Sequence, residues 1–362
     1  MNFHSPVIKK LPSKFNIGDK AIGNNNPCYV IAEAGSNHNR DLKTAIGLVD
    51  AAANAGCDAV KFQSFVGEDI ASEFQNKFTK LPKEFKKWGK NLKNFYEHCS
   101  LPDNFYEPIC DHAKERGIHF FSSPFSEKAV DRLTRVGVPA LKIASFELVH
   151  LPLIRHAAST GIPLIMSTGM AGLGDIERAL DAAVNYGASQ ISLLHCGSSY
   201  PLGPESANLA AMETLKNAFG VPVGYSDHTL GIGVPIAVAT LGGSLLEKHI
   251  TLSRKQDGPD HNFAIEPTEL ISMVKLMRDA QLAIGGSRKV RQLEEEEHLL
   301  RGRRSIFTIH NMKSGEVLSA KKVKVVRPGI GLEPMFLELL IGKKVNKNIP
   351  ADHPLSWDDF VE

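Results

Sequence analysis

The sequence predicts a (β/α)8 barrel followed by a small, mainly β unit. Three observations carry this. Eight short apolar runs recur, a helix-like segment follows each, and the composition changes near residue 287. Continuous apolar runs mark strands buried on both faces, as in parallel sheets. Eight strand–helix units over roughly 255 residues match the count and size of a closed barrel. A doubly wound open sheet is the alternative, but no Gly-rich dinucleotide fingerprint accompanies the units.

The expected strands are 29–35 (YVIAEAG), 59–65 (AVKFQSF), 119–125 (HFFSSPF) and 140–145 (ALKIAS), then 163–169 (PLIMSTG), 191–196 (ISLLHC), 221–227 (VPVGYSD) and 244–251 (SLLEKHIT). The expected helices are 41–55, 102–116, 126–136, 151–160, 175–186, 207–219, 231–241 and 267–284. Asp41 is a ready N-cap, and Gly at 56, 117, 137, 161, 187 and 220 suits C-terminal caps. Residues 66–100 exceed an ordinary βα loop. With Lys80, Lys83, Lys86, Lys87, Lys90 and Lys93 they read as a solvated cover over one barrel end.

Residues 1–286 thus form the barrel with an N-terminal extension, and 287–304 (SRKVRQLEEEEHLLRGRR) read as a charged linker. Residues 305–362 form the second unit. It contains an internal repeat: MKSGEVLSAKKV at 312–323 superposes on IPADHPLSWDDF at 349–360. Met312 matches Ile349, Gly315 matches Asp352, Leu318 matches Leu355, Ser319 matches Ser356 and Val323 matches Phe360. Each copy reads as a strand, a turn, an apolar pair and a Ser-capped helical turn.

Composition excludes several function classes. Of 362 residues, 42 are Lys or Arg and 40 are Asp or Glu, a net charge of +2, which disfavours a dedicated nucleic-acid binder. No run approaches the ~20 apolar residues needed to span a bilayer. The opening segment, MNFHSPVIKKLPSKFNIGDK, has no apolar core of a secretory leader. Five irregularly spaced Cys, with no CxxC pair, read as buried thiols and not as a disulfide framework. A cytoplasmic protein is the expectation.

Barrel active sites lie at the C-terminal strand ends. There the strands present in turn Glu33 with Asn37 and His38; Lys61 and Gln63; Ser122 and Ser123; Lys142, Ser145 and Glu147; and Ser167 and Thr168. The last three present His195, Ser198, Ser199 and Tyr200; Ser226, Asp227 and His228; and Glu247 and His249. Two lysines and several hydroxyls converging on one mouth suit a multiply charged anion. His228 and His249 face each other from adjacent strands beside Glu247 and Asp260, an open pair suited to Mn, Co, Zn or Fe. Glu33, at the end of an apolar strand, suits acid–base work, or else pairs structurally with a lysine.

These residues carry a resemblance. AEAGSNHN at 32–39, KFQ at 61–63, FSSPF at 121–125 and KIASFE at 142–147 are the first of its motifs. STGM at 167–170, HCGSSYP at 195–201, GYSDHTLG at 224–231, LEKHIT at 246–251 and GPDH at 258–261 follow in order. The set resembles the sialic acid synthase family, and RRSIF at 303–307 through RPG at 327–329 is similar to that family's antifreeze-like (SAF) domain. The resemblance implies condensation of phosphoenolpyruvate with an N-acylated amino sugar, N-acetylmannosamine or a diacetamido-hexose, to a nine-carbon 2-keto sugar acid plus phosphate.

It implies Glu33, Lys61 and Lys142 as catalytic, and His228 and His249 as ligands of a divalent metal, Mn with Mg or Co as alternatives. Gln63, Ser123, Ser145, Glu147, Ser167, Ser198, Tyr200, Ser226, Glu247 and Asp260 are implied to contact the substrates. It also implies a domain-swapped homodimer. Three positions depart from the family pattern. Arg40 replaces the usual Gly after NHN, and Ser198 replaces an Asn. The family's Arg ahead of the SAF domain falls by count at Leu299, with Arg301, Arg303 and Arg304 nearby, so Arg301 is the candidate. Two other readings are a Schiff-base aldolase using Lys61 or Lys142 and a non-catalytic saccharide binder.

Overall fold

The computed structural model describes residues 11–23 and 26–361. The leader-free reading of the opening segment falls largely on residues 1–10, outside those described. The chain divides into two units, residues 1–285 and 286–362. A hairpin opens the first, β1 (Lys14–Ile17) and β2 (Lys20–Gly23). The strands of a closed, all-parallel eight-stranded barrel follow. These are β3 (Tyr29–Gly35), β4 (Ala59–Ser64), β5 (His119–Pro124), β6 (Leu141–Ile143), β7 (Leu164–Ser167), β8 (Ile191–Cys196), β9 (Val223–Asp227) and β10 (Leu245–His249). β10 pairs with β3 and closes the cylinder.

Helices return the chain after each strand. They are α1 (Leu42–Asn54), α2 (Gly67–Ile70), α3 (Leu92–Cys99), α4 (Tyr106–Glu115) and α5 (Glu127–Val136). The series continues with α6 (Leu151–Ser159), α7 (Leu173–Asn185), α8 (Ala211–Phe219), α9 (Gly233–Thr240) and α10 (Pro267–Ile284). The caps are local chemistry. Asp41 accepts from the Thr44 amide at 2.9 Å, and Ser126 from Ala129 at 3.3 Å. Gly137 (φ 80°) takes the left-handed conformation that lets α5 stop and β6 begin. The apolar strand residues are buried both inside the barrel and against the helices, which explains why their runs do not alternate.

Two features differ from the sequence expectation. The hairpin was not legible, because each four-residue strand carries too few apolar positions to signal a period. Residues 66–100 are more than a solvated cover. Phe65, Leu81, Phe95 and Cys99 form a separate buried cluster, with Phe85 stacked on Phe95 at 5.1 Å. Lysines on its outer side masked that apolar content.

In the second unit, the charged segment 287–304 carries a short helix, α11 (Glu296–Gly302). β11 (Ser305–Thr308) pairs antiparallel with β12 (Val323–Val326), and α12 (Leu337–Leu340) follows. The repeat is visible in three dimensions. Met312 bridges Ile349, and Leu318 and Leu355 share one core with Val323 and Phe360. Gly315 and Asp352 both have positive φ, and Ser319 and Ser356 each precede a 3-10 turn.

Candidate active site

Parallel register places the functional side chains in rows. His249 lies opposite Glu33, Glu33 opposite Lys61, and Gln63 opposite Ser123. Alternation along β4 turns Lys61 and Gln63 into the barrel and Phe62 outward, against His38 and Phe120. The result is a cavity of about 280 Å³ at the C-terminal strand ends. Glu33, Lys61, Gln63, Ser123, Lys142, Ser145 and Glu147 line its first half, and Ser167, Tyr200, Ser226, His228, Glu247, His249 and Asp260 its second.

On the floor, two lysines and two carboxylates interlock. Lys61 Nζ lies 2.7 Å from Glu33 Oε2 and 3.7 Å from Glu247 Oε1, and donates to Ser123 Oγ at 3.1 Å. Lys142 Nζ donates to Ser167 Oγ at 2.6 Å and sits 3.8 Å from Glu247 Oε2. Gln63 Nε2 donates to Glu33 Oε1 at 2.8 Å, and Ser226 Oγ to Glu247 Oε1 at 3.3 Å. Glu247 is thus shared between the lysines. Glu33 pairs with Lys61 and is at the same time desolvated.

Burial sets the protonation chemistry. It pushes the Glu33 carboxyl up to about 7, against the lowering pull of Lys61. It would also raise Glu247, but Lys142 and Lys61 outweigh it and hold that carboxyl below its ordinary value. Lys142 is lowered by burial. Burial would lower Lys61 as well, but Glu247 and Glu33 overcome that and raise it. Asp260 is raised to about 6 by burial.

His228 and His249 approach with ring centroids 5.5 Å apart, beside Tyr200 and Phe263. His228 Nδ1 donates to the Gly197 carbonyl at 2.8 Å, which leaves Nε2 with a free lone pair. His249 is held well below its ordinary value, by burial first and then by His228 and Lys61, so it is neutral. Its Nδ1 is buried without a hydrogen-bond partner, and Asp260 Oδ2 lies 3.9 Å away. Among the described residues, no group of three or more His, Cys, Asp or Glu side chains is placed to hold an ion. The two imidazoles with one orphaned nitrogen fit a cation that leaves most of its positions to substrate and water.

Several strand-end residues expected at the mouth point elsewhere. Ser122 bonds Ser64 at 2.7 Å, Thr168 donates to the Leu194 carbonyl, and His195 Nε2 meets the Ala207 carbonyl at 3.1 Å. Asp227 pairs with Lys248 behind the barrel wall. Asn37 donates to the Ile250 carbonyl, and His38 Nδ1 accepts from the Arg40 amide. In β5, β7 and β9 the adjacent residue, Ser123, Ser167 or Ser226, faces the cavity instead. Ser198 does not line the cavity, and its Oγ is 4.0 Å from Cys196 Sγ. Arg301 is on α11 of the second unit, exposed and paired with Glu297 at 2.8 Å.

Sequence reasoning missed the apolar side of the cavity. Phe65, Ile70, Phe95, Tyr96, Phe125 and Phe146 line it, three of them from the inserted segment. The i, i+4 spacing of Phe95 and Cys99 in α3 was the available signal. It also missed Cys196 Sγ, 3.1 Å from Ser145 Oγ. The five thiols are free, four buried and Cys110 half-buried. None of the described helices is long and apolar enough to cross a membrane.

Comparison with known proteins follows the same division. The NeuB family model matches residues 48–289, and the SAF domain model matches 303–361. The N,N'-diacetyllegionaminic acid synthase of Legionella pneumophila is 36% identical over 345 residues, 94% of this chain and 97% of the relative. The crystal structure of the Bacillus subtilis spore coat polysaccharide biosynthesis protein spsE superposes with a TM-score of 0.66 at 34% identity. It covers 96% of this chain and 99% of that one. The N-acetylneuraminic acid synthetase of Leptospira borgpetersenii, crystallised with citrate, gives a TM-score of 0.71 at 33% identity, over 80% and 95% of the two chains.

Proposed function

The chain belongs to the NeuB family, and from that premise we propose that it condenses phosphoenolpyruvate with an N-acylated amino sugar. The products are a nine-carbon 2-keto sugar acid and phosphate. The observation that carries the reading is the floor of the cavity, where Lys61 and Lys142 and four inward hydroxyls surround a desolvated Glu33. Phosphoenolpyruvate carries phosphate and carboxylate on three carbons, and two fixed ammonium groups offset that charge.

Lys61 and Lys142 bind the two anionic groups, and Ser123, Ser145, Ser167 and Ser226 supply neutral donors. Gln63 orients Glu33. The substrate methylene carbon attacks the sugar aldehyde, and water adds to the resulting cationic carbon. The tetrahedral centre then expels phosphate with C–O cleavage. Glu33, raised by burial, exchanges protons near neutral pH for these steps. Tyr200, Glu147, Glu247 and Asp260 face the acceptor. A divalent cation, Mn or else Mg or Co, would be held by His228 and His249 and would polarise the aldehyde when bound.

The acceptor is an N-acetylmannosamine-like or diacetamido-hexose sugar. The aromatic wall suits acyl methyl groups, and the Legionella relative named as a diacetyllegionaminic acid synthase supports the second kind. The reading includes a homodimer in which Arg301 of one protomer serves the other's sugar site, and a cytoplasmic location. Light scattering that gives a monomer would count against the dimer. Phosphate release measured with each substrate alone and with both tests the reaction. Release only with both is expected, and release from phosphoenolpyruvate alone would overturn it.

A further inference from the structure

The loop after β3 joins three parts of the cavity. Ser36 lines it, Asn37 Nδ2 donates to the Ile250 carbonyl at 2.8 Å, and Asn39 Oδ1 lies 3.3 Å from His261 Nε2. These contacts tie the loop to the segment that carries Asp260. Arg40 ties it to the inserted segment. Its Nη1 donates to the Glu97 carbonyl at 2.8 Å, the Ser100 carbonyl at 3.3 Å and Ser100 Oγ at 2.5 Å. The Glu97 carbonyl also accepts from the Ser100 amide at 3.3 Å and from Ser100 Oγ at 2.8 Å, so Arg40 joins a bonded turn, and a cation at this end of α3 complements the helix dipole. The Glu97 carboxylate meanwhile accepts from the Gly67 amide at 2.8 Å, so one turn of α3 gathers both ends of the insertion.

Arg40 makes these contacts from φ 56°, where an L side chain is strained and glycine is not. The strain is offset only if the guanidinium is useful. What it holds is the wall: Phe95, Tyr96 and Cys99 line the cavity within four residues of the carbonyls Arg40 grips. The phosphate-suited lysines and serines lie on the strands or, for Ser145, in the turn just after β6, away from the Arg40 contacts. Ser36 of the same loop also meets the Cys99 thiol, and a further pair, Lys87 with Asp257, is more than half exposed on both partners and contributes little.

We propose that Arg40 is a positioning residue that latches the inserted wall to the first loop and so governs how the amino-sugar acceptor is held. The proposal deepens the synthase reading and rests on it. Arg40→Gly is the test variant because glycine suits that backbone, so the fold should not suffer. Hydrogen exchange of residues 92–100 should speed up about tenfold, the loss of one charge-assisted hydrogen bond. The KM for N-acetylmannosamine or a diacetamido-hexose, whichever turns over, should rise about tenfold. The kcat and the KM for phosphoenolpyruvate should stay within about twofold, and the thermal midpoint should not fall.

Arg40→Lys should fall between the two, and Asp257→Asn should match the parent chain. Unchanged exchange at 92–100 would overturn the latch. Equal rises in both KM values, or a loss confined to kcat, would overturn its acceptor-side role. If the parent chain turns over no sugar, the synthase reading fails instead. The exchange measurement, which needs no substrate, then still decides the latch.

Discussion

Replacing Glu33 by glutamine removes one charge and almost no volume from a side chain that is 1% exposed. The amide oxygen can still accept from Gln63, and Lys61 keeps Ser123 at 3.1 Å and Glu247 at 3.7 Å. The site should therefore stay assembled. General acid–base catalysis by a placed carboxyl is worth about 10²–10⁴-fold, so kcat should fall by that factor, or about 3–5 kcal/mol of barrier. The KM for phosphoenolpyruvate should move less than about threefold, because both lysines remain charged. The assay is continuous phosphate release at saturating concentrations of both substrates. A kcat within about threefold of the parent would refute the assignment of Glu33 as the proton-handling group.

The same substitution has a pH signature. Glu33 in the folded chain has its pKa raised, to about 7, above the ordinary carboxyl value of 4.5. Between those values the unfolded chain has released a proton that the folded chain retains, so stability falls as pH rises through the window. Denaturant titrations of Glu33→Gln should lack a decline on the order of 1–3 kcal/mol that the parent shows; parallel curves would contradict the raised pKa. His228→Ala or His249→Ala should weaken Mn binding, measured by calorimetry, about 100-fold or more, beyond the effect of losing an outer-sphere partner. Unchanged affinity would remove the pair as ligands. Lys142→Met should raise the dissociation constant for phosphoenolpyruvate about 10–100-fold, as loss of a buried charge-assisted contact implies. Leu355→Ala, in the core of the second unit, should cost about 2–5 kcal/mol in urea unfolding followed by exchange at 305–361.

The eight barrel strands were legible because burial on both faces leaves an unbroken apolar run. Runs such as Ile191–Cys196 therefore end where the strand ends. The site was legible in part for the same reason, since a charged residue such as Lys61 or Glu33 inside such a run stands out. What the runs do not show is parity. Ser122 and Ser123 are equivalent in composition, yet only one faces the cavity, and a one-residue change of register would exchange them. Lys61 and Gln63, two apart on the neighbouring strand, carried the parity information. The aromatic wall was hidden because lysines surround Phe85 and Phe95, and the apolar contacts form across sequence rather than along it. The 37-residue repeat was legible because its matched positions are the buried or turn-forming ones, Leu318 with Leu355 and Gly315 with Asp352.

The proposed reaction makes a carbon–carbon bond with phosphoenolpyruvate and breaks the phosphate linkage at carbon. Phosphoenolpyruvate labelled with heavy oxygen in its bridging position, incubated with the chain and a panel of acylated amino sugars, tests it by mass spectrometry. The expected product is a 2-keto sugar acid bearing three added carbons, with the heavy oxygen recovered in phosphate. Heavy oxygen retained in the organic product, or a borohydride-trapped pyruvyl adduct on Lys61 or Lys142, would contradict it.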